Sequence, residues 1–222
     1  MCTHACIEFI RANLRSDDVQ GRAVLEVGAL DVNGSVRPLI CALQPASYVG
    51  VDLHAGPGVD EICDATDLVA RFGPEAFDLL ISTELLEHVR DWRTTISQFK
   101  RVLKPGGLLL VTTRSRGFPY HAYPDDFWRY EPADICAIFA DFCLEKIESD
   151  SVNPGIFFKA RKPQVFFETD TRQHALFSII AGREILTVTD LQIAAFLRRG
   201  KAQRILRAPS RLVRRLRDKF RS

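Results

Sequence analysis

The stretch Val24-Leu25-Glu26-Val27-Gly28-Ala29-Leu30-Asp31 carries the pattern that decides the fold. An apolar run over residues 23–27 leads into a glycine and a tight polar turn, and Asn33-Gly34-Ser35 then supplies residues that commonly cap the start of a helix. This order predicts a strand, a loop and a helix, the first unit of an open α/β sheet. Ligands of such sheets bind beyond the carboxyl ends of the strands, and Gly28 has no Cβ atom to keep a ligand away from the backbone.

Charge is distributed unevenly along the chain. Its 222 residues have a net charge of +2, but residues 198–222 hold eleven Lys/Arg and one Asp, a local charge of +10, so the remainder sums to −8. The length suits one α/β domain, predicted over 1–163, and an extension over 164–222. The six cysteines form no C-x-x-C pair, and the sequence shows neither a secretory signal nor a membrane-spanning apolar run, which predicts a cytoplasmic protein.

Further strands follow at the spacing of an α/β sheet. Residues 76–82 form a near-continuous apolar run, which is typical of a strand buried on both faces. The amphipathic stretch 92–103 predicts a helix, and Lys104-Pro105-Gly106-Gly107 predicts its end. The other predicted strands are 48–52, 59–63, 108–112, 144–149 and 156–160, and the other predicted helices include 35–43 and 131–139.

Four segments together resemble one family: Leu25-Glu26-Val27-Gly28, Val49-Gly50-Val51-Asp52, Phe77-Asp78-Leu79-Leu80 and Leu103-Lys104-Pro105-Gly106-Gly107. Over about residues 20–162 the chain resembles the class I S-adenosylmethionine-dependent methyltransferases. The resemblance implies an α/β, Rossmann-like fold with a seven-stranded, mostly parallel sheet, helices on both faces and an antiparallel last strand. A helical, basic C-terminal extension would follow. Dinucleotide binding is disfavoured, because the G-x-G-x-x-G spacing is absent.

The resemblance also implies where S-adenosylmethionine binds. Gly28 and Ala29 would line its methionine part, and Asp52 would accept hydrogen bonds from its ribose. Leu30 stands where the family usually has a second glycine, which leaves the role of Asp31 open. Alternatively, acids such as Glu26 and Asp52 only cap helices or pair with surface lysines. The predicted cofactor-binding residues are Glu26, Gly28, Ala29, Asp31, Asp52, Leu53, Asp64 and Ala65 (beside the adenine), and Ser82 and Thr83 (beside the sulfonium).

Glu84, Glu87 and His88 follow the predicted strand 76–82 at positions i, i+3 and i+4, which share one face of a helical turn. This Glu-x-x-Glu-His pattern resembles that of small-RNA 2′-O-methyltransferases and of ubiquinone-pathway O-methyltransferases. The resemblance implies a divalent ion of the Mg²⁺ type, bound by Glu84, Glu87 and His88, with His121 as a fourth ligand or as a base. His88 and His121 are therefore the predicted catalytic residues. Alternatively, as in metal-free relatives, the Glu caps a helix and the His packs beside the cofactor.

The aromatic segment 118–130 predicts a loop over the methyl acceptor. Flat aromatic faces beside Asp125, Asp126 and an arginine suit a polyhydroxylated or ring-shaped molecule, although Phe127 and Trp128 alternatively belong to the core. The predicted acceptor contacts are Tyr120, Tyr123, Asp125, Trp128 and Arg129. The resulting hypothesis is methylation of a hydroxyl on a small molecule or saccharide. The alternatives are an RNA 2′-O-methyltransferase and a non-catalytic S-adenosylmethionine-binding module.

The extension contains two predicted helices, 190–197 and 210–220. The second places Leu212, Val213, Leu216 and Phe220 on one stripe among arginines, as in a basic amphipathic helix. Three partners suit such a helix: the acidic domain or a second subunit in a homodimer, an anionic surface at the inner face of the membrane, and, less favoured, nucleic acid phosphates. Nucleic acid ranks last because no aromatic residues are interleaved with the arginines.

Overall fold

The computed structural model of the protein describes residues 3–121 and 125–207. Its strands are β1 (Ala23–Val27), β2 (Ser47–Asp52), β3 (Glu61–Ile62), β4 (Phe77–Thr83), β5 (Leu103–Arg114), β6 (Trp128–Arg129), β7 (Cys143–Ser149), β8 (Gly155–Arg161), β9 (Leu176–Ser178) and β10 (Arg183–Ile185). Its α-helices are α1 (His4–Asn13), α2 (Ser16–Val19), α3 (Arg37–Ala42), α4 (Leu68–Phe72), α5 (Trp92–Val102), α6 (Pro132–Ile138) and α7 (Asp190–Arg207), and a 3₁₀ turn spans Leu86–His88.

Seven strands form one sheet in the order β3-β2-β1-β4-β5-β8-β7. β1 is parallel to β2 and β4, and β4 is parallel to β5, whereas β8 is antiparallel to both β5 and β7. Glu26 of β1 therefore lies between Gly50 of β2 and Ile81 of β4. Because parallel strands end at the same edge, the loops after β1, β2 and β4 emerge side by side. The predicted seven-stranded, mostly parallel sheet is confirmed.

Helices cover both faces of this sheet, as predicted. Phe9 of α1 packs against Phe157 of β8, with ring centroids 5.3 Å apart. Phe139, just after α6, packs against the neighbouring Phe158, with centroids 4.8 Å apart. Successive residues of a strand point to opposite faces, so the two contacts lie on opposite sides of the sheet. Burying each of these rings stabilises the fold by about 1.5–3 kcal/mol.

Two strands, β3 and β5, differ most in length from the prediction. β3 spans Glu61–Ile62 rather than 59–63, because Val59 donates to the carbonyl of Gly56 and belongs to the preceding turn. β5 begins at Leu103 rather than 108, directly after α5. The Lys-Pro-Gly-Gly segment therefore lies within β5 as an irregularity: Gly106 has φ = +77°, and the pairing with β4 shifts between Phe77 and Leu79.

The first compact unit ends at Thr187, whereas the sequence predicted the end of the domain at residue 163. Within residues 164–187, β9 pairs with β6 and β10 in a second, three-stranded sheet. The Arg93 guanidinium donates to the carbonyls of Thr171, His174 and Leu186 at 3.0, 2.5 and 2.7 Å. The three-residue strands carry no alternating pattern long enough to be recognised in the sequence.

The second unit begins at Val188 and contains α7. The Thr189 amide donates to Oε1 of Gln192 at 2.8 Å, and the Gln192 amide donates to the Thr189 hydroxyl at 3.3 Å, so the two residues cap the start of the helix reciprocally. The helix predicted at 190–197 is present and continues to Arg207, whereas the predicted helix 210–220 lies outside the described residues. None of the helices in the described ranges has the length and hydropathy needed to span a bilayer.

We expect Arg93→Met to lower the free energy of unfolding by about 3 kcal/mol, because three charge-assisted hydrogen bonds are lost, two of them partly buried. Urea denaturation followed by tryptophan fluorescence measures this. Arg101→Met, at an exposed position of the same helix, is the matched control and should change stability by less than about 0.5 kcal/mol. Equal losses in the two variants would show that Arg93 does not secure residues 171–186.

Candidate active site

The loop after β1 presents its backbone at the carboxyl edge of the sheet. Gly28 has φ = +83°, a left-handed conformation that favours glycine. A Cβ atom at Gly28 would lie 3.2 Å from Cβ of Leu85. The amides of Gly28 and Ala29 both donate to the carbonyl of Val51, at 2.9 and 3.0 Å. The loop is therefore fixed to the end of β2 and contacts the segment that follows β4.

Asp52 ends β2 and faces this loop. Its Oδ2 accepts a hydrogen bond from the Leu30 amide at 3.3 Å, and its Oδ1 accepts one from the His54 amide at 3.1 Å. The side chain of Asp52 is half-buried, so further acceptor capacity remains on both oxygens. Asp31 is exposed and accepts a hydrogen bond from the Gly34 amide at 2.9 Å, and Leu53 is also exposed.

The remaining predicted cofactor residues follow β3 or end β4. Asp64 is exposed, and its Oδ1 accepts hydrogen bonds from the amide and the hydroxyl of Thr66, both at 2.8 Å. Ala65 is buried. Ser82 and Thr83 are buried, and the Ser82 hydroxyl has no hydrogen-bond partner within the described residues. The structure thus brings these predicted residues to the same edge as Gly28 and Asp52.

Glu26 differs from the others because its side chain lies inside the protein, 2% exposed. It accepts a hydrogen bond from the Tyr48 hydroxyl. Burial raises the pKa of Glu26 to about 7, and the Tyr48 hydroxyl and the nearby Arg37 guanidinium oppose this rise. Glu26 is thus bonded to Tyr48 of the neighbouring strand β2, and its predicted contact with the cofactor stays a prediction.

Glu87, His88 and His121 form a cluster beside this edge. Oε1 of Glu87 lies 3.8 Å from Nε2 of His88 and 4.0 Å from Nε2 of His121. The imidazole rings of the two histidines are edge to face, with centroids 4.8 Å apart. Oε1 of Glu87 and Nε2 of His88 are buried and have no hydrogen-bond partner within the described residues. Three ligand atoms that converge in this way, within 4.8 Å of one another, can hold a metal ion or a proton.

Each member of the cluster is anchored at its far end. Oε2 of Glu87 accepts a hydrogen bond from the Thr113 hydroxyl at 2.9 Å. Nδ1 of His88 is bonded to the backbone carbonyl of Asp125, and Nδ1 of His121 lies 3.0 Å from Oδ2 of Asp126. An Arg129 ion pair and the hydrogen bonds from His121 lower the pKa of Asp126 to about 2, despite its burial. The anchored atoms, Oε2 of Glu87 and the two Nδ1 atoms, are therefore not the atoms that converge, which are Oε1 of Glu87 and the two Nε2 atoms.

Glu84 is not a member of this cluster, which corrects its predicted role as a metal ligand. Its φ of +54° breaks the helical turn expected for residues 84–88, and the 3₁₀ turn begins only at Leu86. The Glu84 carboxylate instead forms a buried ion pair with Arg114, and Arg114 also pairs with Asp150 at 3.1 Å. Burial, and then the neighbouring Glu87, raise the pKa of Glu84 above its ordinary value.

The predicted acceptor contacts separate into two groups. Trp128 and Arg129 are both 0% exposed. Trp128 donates from Nε1 to the carbonyls of Val89 and Arg90 at 3.0 and 3.1 Å, which is the core packing that was the alternative. These two residues therefore shape the site from inside and do not face an acceptor. Tyr120 is partly exposed and Asp125 is exposed, whereas Tyr123 lies outside the described residues.

The sequence did not reveal Thr113 and Arg114 as site residues. Both lie at the end of the apolar strand β5, where a hydroxyl and a guanidinium gave no distinctive spacing. Both are buried, and each partners one of the two acids of the Glu-x-x-Glu-His segment. The only signal available was positional, since residues at the carboxyl end of a parallel strand line the ligand edge.

This fold and this edge define an S-adenosylmethionine-dependent methyltransferase of class I. The chain belongs to the family described as a methyltransferase domain, whose model matches residues 3–147. It is 28% identical to the phthiotriol/phenolphthiotriol dimycocerosates methyltransferase of Mycobacterium tuberculosis, over 83% of this chain and 67% of the relative. It is 32% identical to the ubiquinone biosynthesis O-methyltransferase of Idiomarina loihiensis, over 46% of each.

Solved structures share the fold. The 1,6-didemethyltoxoflavin-N1-methyltransferase of Burkholderia thailandensis, solved with 1,6-didemethyltoxoflavin and S-adenosylhomocysteine, superposes with a TM-score of 0.58 at 16% identity over 72% of this chain and 79% of that chain. An S-adenosylmethionine-dependent methyltransferase from Mesorhizobium loti gives 0.51 at 18% identity, over 71% and 98%. The protein is therefore an S-adenosylmethionine-dependent methyltransferase, and a purely non-catalytic binding module is set aside.

The raised pKa of Glu26 predicts a specific pH dependence of stability. Folded Glu26 keeps its proton up to about pH 7 but loses it near 4.5 when unfolded, so its contribution is complete below pH 4.5 and is lost as the pH rises to 7. The free energy of unfolding of Glu26→Gln, relative to the unmodified protein, should therefore rise by about 2–3 kcal/mol between pH 4.5 and pH 8. Urea denaturation at several pH values measures it. A rise of the same size in Glu8→Gln, an exposed control, would contradict the assignment.

Proposed function

We propose that the protein transfers the methyl group of S-adenosylmethionine to a hydroxyl oxygen of a small molecule or saccharide, using Glu87, His88 and His121 at the acceptor. The observation that carries this proposal is the convergence of Oε1 of Glu87 with the two imidazole Nε2 atoms. With both imidazoles neutral, each of these three atoms is a hydrogen-bond acceptor. Three acceptors facing one another repel, so they require a proton donor or a cation between them.

A hydroxyl group satisfies this requirement. Its O–H donates to one of the three acceptors, which places the oxygen for attack on the methyl carbon. The C–S bond of the sulfonium breaks as the new O–C bond forms, and the sulfur leaves as a neutral thioether. The proton of the hydroxyl passes to Glu87 or to one of the imidazoles. Alignment and proton removal are the two contributions that such a displacement needs from the protein.

The ligand atoms of Glu87, His88 and His121 also indicate which metal ion this cluster would bind. With Glu84 engaged by Arg114, the set consists of two imidazole nitrogens and one carboxylate oxygen. Mg²⁺ prefers oxygen ligands, whereas Mn²⁺, Fe²⁺ and Zn²⁺ accept imidazole readily. The residues thus fit a divalent ion such as Mn²⁺, Fe²⁺ or Zn²⁺ better than Mg²⁺. When bound, such an ion acts as a Lewis acid toward the acceptor oxygen. Glu87 and the two histidines would hold it, and the unpartnered buried atoms of Glu87 and His88 support this assignment.

The predicted cofactor roles become proposals on the same geometry. The fixed loop at Gly28 and Ala29 would cradle the methionine part of the cofactor, and Asp52 would bind the ribose with the acceptor capacity left on its carboxylate. Leu53, exposed at the end of β2, and Ala65 would contact the adenine, and Ser82 and Thr83 the sulfonium. The backbone of Gly28 lies so close to Leu85, two residues before Glu87, that an added Cβ would be 3.2 Å from Cβ of Leu85, which supports a methyl donor beside the cluster.

The class of acceptor is proposed from the predicted acceptor contacts that are at least partly accessible to solvent. Tyr120 and Asp125 are accessible on the loop next to the cluster, and an aromatic face with a carboxylate suits a hydroxylated molecule. The name of the ubiquinone biosynthesis relative, an O-methyltransferase, supports transfer to oxygen. RNA 2′-hydroxyls are the second candidate, because they present the same O–H donor. A cytoplasmic location, a homodimer and contact of the basic tail with the inner membrane face stay predictions.

Asp52→Ala should weaken S-adenosylmethionine binding by about 1.5–3 kcal/mol, roughly 10- to 100-fold in Kd, because a charge-assisted hydrogen bond to the ribose is lost. Isothermal titration calorimetry measures the affinity. Asp17→Ala, at an exposed position of α2, is the control and should bind as the unmodified protein does. An unchanged affinity of Asp52→Ala at an unchanged melting temperature would place the ribose elsewhere.

Glu87→Gln should leave S-adenosylmethionine affinity within about twofold but reduce methyl transfer by about 10²–10⁴-fold, because the acceptor proton loses its carboxylate partner. Radiolabelled methyl transfer is measured on catechols, monosaccharides and short RNAs, with Glu75→Gln as the exposed control. Each assay is repeated after EDTA treatment and after addition of Mn²⁺ or Mg²⁺. Full activity of Glu87→Gln would refute the role of the cluster, and methylation of RNA alone would favour the second candidate.

A further inference from the structure

Behind the Glu87–His88–His121 cluster lies a second layer of polar groups that is fully enclosed. The side chains of Asp126 and Arg129 are both 0% exposed. We propose that Asp126, held by Arg129, is a positioning residue that fixes His121 with its proton on Nδ1 and so directs the Nε2 lone pair toward Glu87. The inference rests on the proposed function of the cluster, which it deepens by naming what sets the cluster's geometry.

The contacts of Asp126 determine the tautomer of His121. Oδ2 of Asp126 accepts a hydrogen bond from the His121 backbone amide at 2.9 Å and lies 3.0 Å from Nδ1 of the same residue. A carboxylate can only accept, so Nδ1 must carry the hydrogen of that second bond. In a neutral imidazole the other nitrogen then carries a lone pair and no hydrogen. The bond from the backbone amide fixes the position of His121 relative to Asp126, and the bond at Nδ1 fixes the orientation and the tautomer of the ring.

Arg129 keeps Asp126 in the carboxylate form and in place. Its two terminal guanidinium nitrogens donate to the two oxygens of Asp126, with Nη2 at 2.7 Å from Oδ2. The same guanidinium donates to the carbonyls of Phe118 and Pro119 at 3.2 and 3.1 Å. One buried cation therefore holds both the start of the loop and the acid that contacts His121. Planar, forked donors make arginine suited to this two-sided arrangement.

His88 is fixed in the same way by Asp125, the residue that precedes Asp126. Its Nδ1 is bonded to the backbone carbonyl of Asp125, and a carbonyl can only accept, so this nitrogen also carries a hydrogen. The adjacent residues Asp125 and Asp126 thus set both imidazoles, one through a backbone oxygen and the other through a carboxylate. Both Nε2 atoms are left as acceptors facing Oε1 of Glu87. Carboxylate and carbonyl partners of this kind commonly orient histidines that bind metals or act as bases.

A purely structural role for Asp126 does not account for this arrangement. The loop is already tied to the rest of the protein by the Trp128 indole and by the Phe127 amide, which donates to the Glu87 carbonyl at 2.8 Å. Neutralising Arg129 needs a carboxylate, but it does not need that carboxylate to meet an imidazole. The His121 side chain is 23% exposed, and its two ring nitrogens face different acids: Nδ1 lies 3.0 Å from Oδ2 of Asp126, and Nε2 lies 4.0 Å from Oε1 of Glu87.

The test reads the histidine tautomers directly and needs no acceptor. Long-range ¹H–¹⁵N NMR of the full chain labelled with ¹⁵N-histidine distinguishes Nδ1–H from Nε2–H, and single His→Gln variants assign the five histidines. At a pH where the rings are neutral, we expect His88 and His121 in the Nδ1–H form. In Asp126→Asn, His121 should shift toward Nε2–H, the form that a free histidine favours in water, while His88 stays unchanged. Asp126→Glu should restore Nδ1–H at least in part.

Two further variants keep the result interpretable. Asp141→Asn breaks another buried ion pair, with Lys100 at 2.7 Å, and should leave both histidine tautomers unchanged. If Asp126→Asn does not fold, the double variant Asp126→Asn/Arg129→Gln removes both buried charges together and is measured instead. An Nε2–H His121 in the unmodified protein, or an unaltered His121 spectrum in the folded Asp126 variants, would overturn the proposal.

A Co²⁺ titration, followed by visible absorption, separates this inference from the proposed function. Affinity should fall about 10- to 100-fold in Asp126→Asn relative to Asp141→Asn. If the unmodified protein binds no Co²⁺ but the tautomers behave as expected, the metal assignment fails and the positioning role stands. If Co²⁺ binds equally to all variants and the His121 tautomer does not respond, the positioning role fails while the metal assignment stands.

Discussion

The candidate active site depends on hydrogen bonds that join the turn at Leu86–His88 to the segment 125–130. The Phe127 amide bonds to the Glu87 carbonyl, the Tyr130 hydroxyl to the Leu86 carbonyl, and the Trp128 indole to the residues just after His88. Most of these groups are buried, so their polar atoms would be costly to leave unpaired. The two segments are therefore held together as one unit. The turn supplies the His88 imidazole, and Asp126 of the second segment holds His121, whose imidazole lies near the same carboxylate oxygen of Glu87.

Electrostatics separates Glu87 from the other buried acids of this region. Glu84 pairs with Arg114, Asp150 with the same arginine, and Asp126 with Arg129. Glu87 has a hydroxyl on one oxygen and two imidazoles near the other. A buried carboxylate without a guanidinium partner is unfavourable unless something else supplies positive charge or a proton. Among these acids Glu87 thus has no guanidinium partner in the part of the chain that the structure describes, and under the proposed function it is the acid beside the hydroxyl proton.

The sequence predicted the sheet well and the site unevenly, for physical reasons. The positions of the strands follow from apolar runs that end in glycine or acid, as at Gly28 and Asp52, and these runs do not depend on the conformation of the loops. The role of Glu84 could not be predicted, because a single residue with positive φ redirected its side chain toward an arginine from a strand far along the chain. Arg129 was predicted to contact the acceptor because charged side chains are usually exposed. Its burial in an ion pair with Asp126 depends on tertiary packing, which the sequence does not show.

Residues beyond the family match contribute to this architecture. The family model ends at residue 147, yet β6, which contains Trp128 and Arg129, pairs with β9 at Leu176–Ser178, and the Ile179 amide donates to the Phe127 carbonyl at 3.0 Å. Arg93 at the start of α5 binds three carbonyls in the same later segment. The segment 164–187 therefore packs along β6, whose Arg129 holds the acid that contacts His121. The edge proposed to bind the cofactor is instead formed by the loops after β1 to β4. It follows that changes in residues 164–187 would alter the acceptor side of the site while leaving the cofactor edge intact.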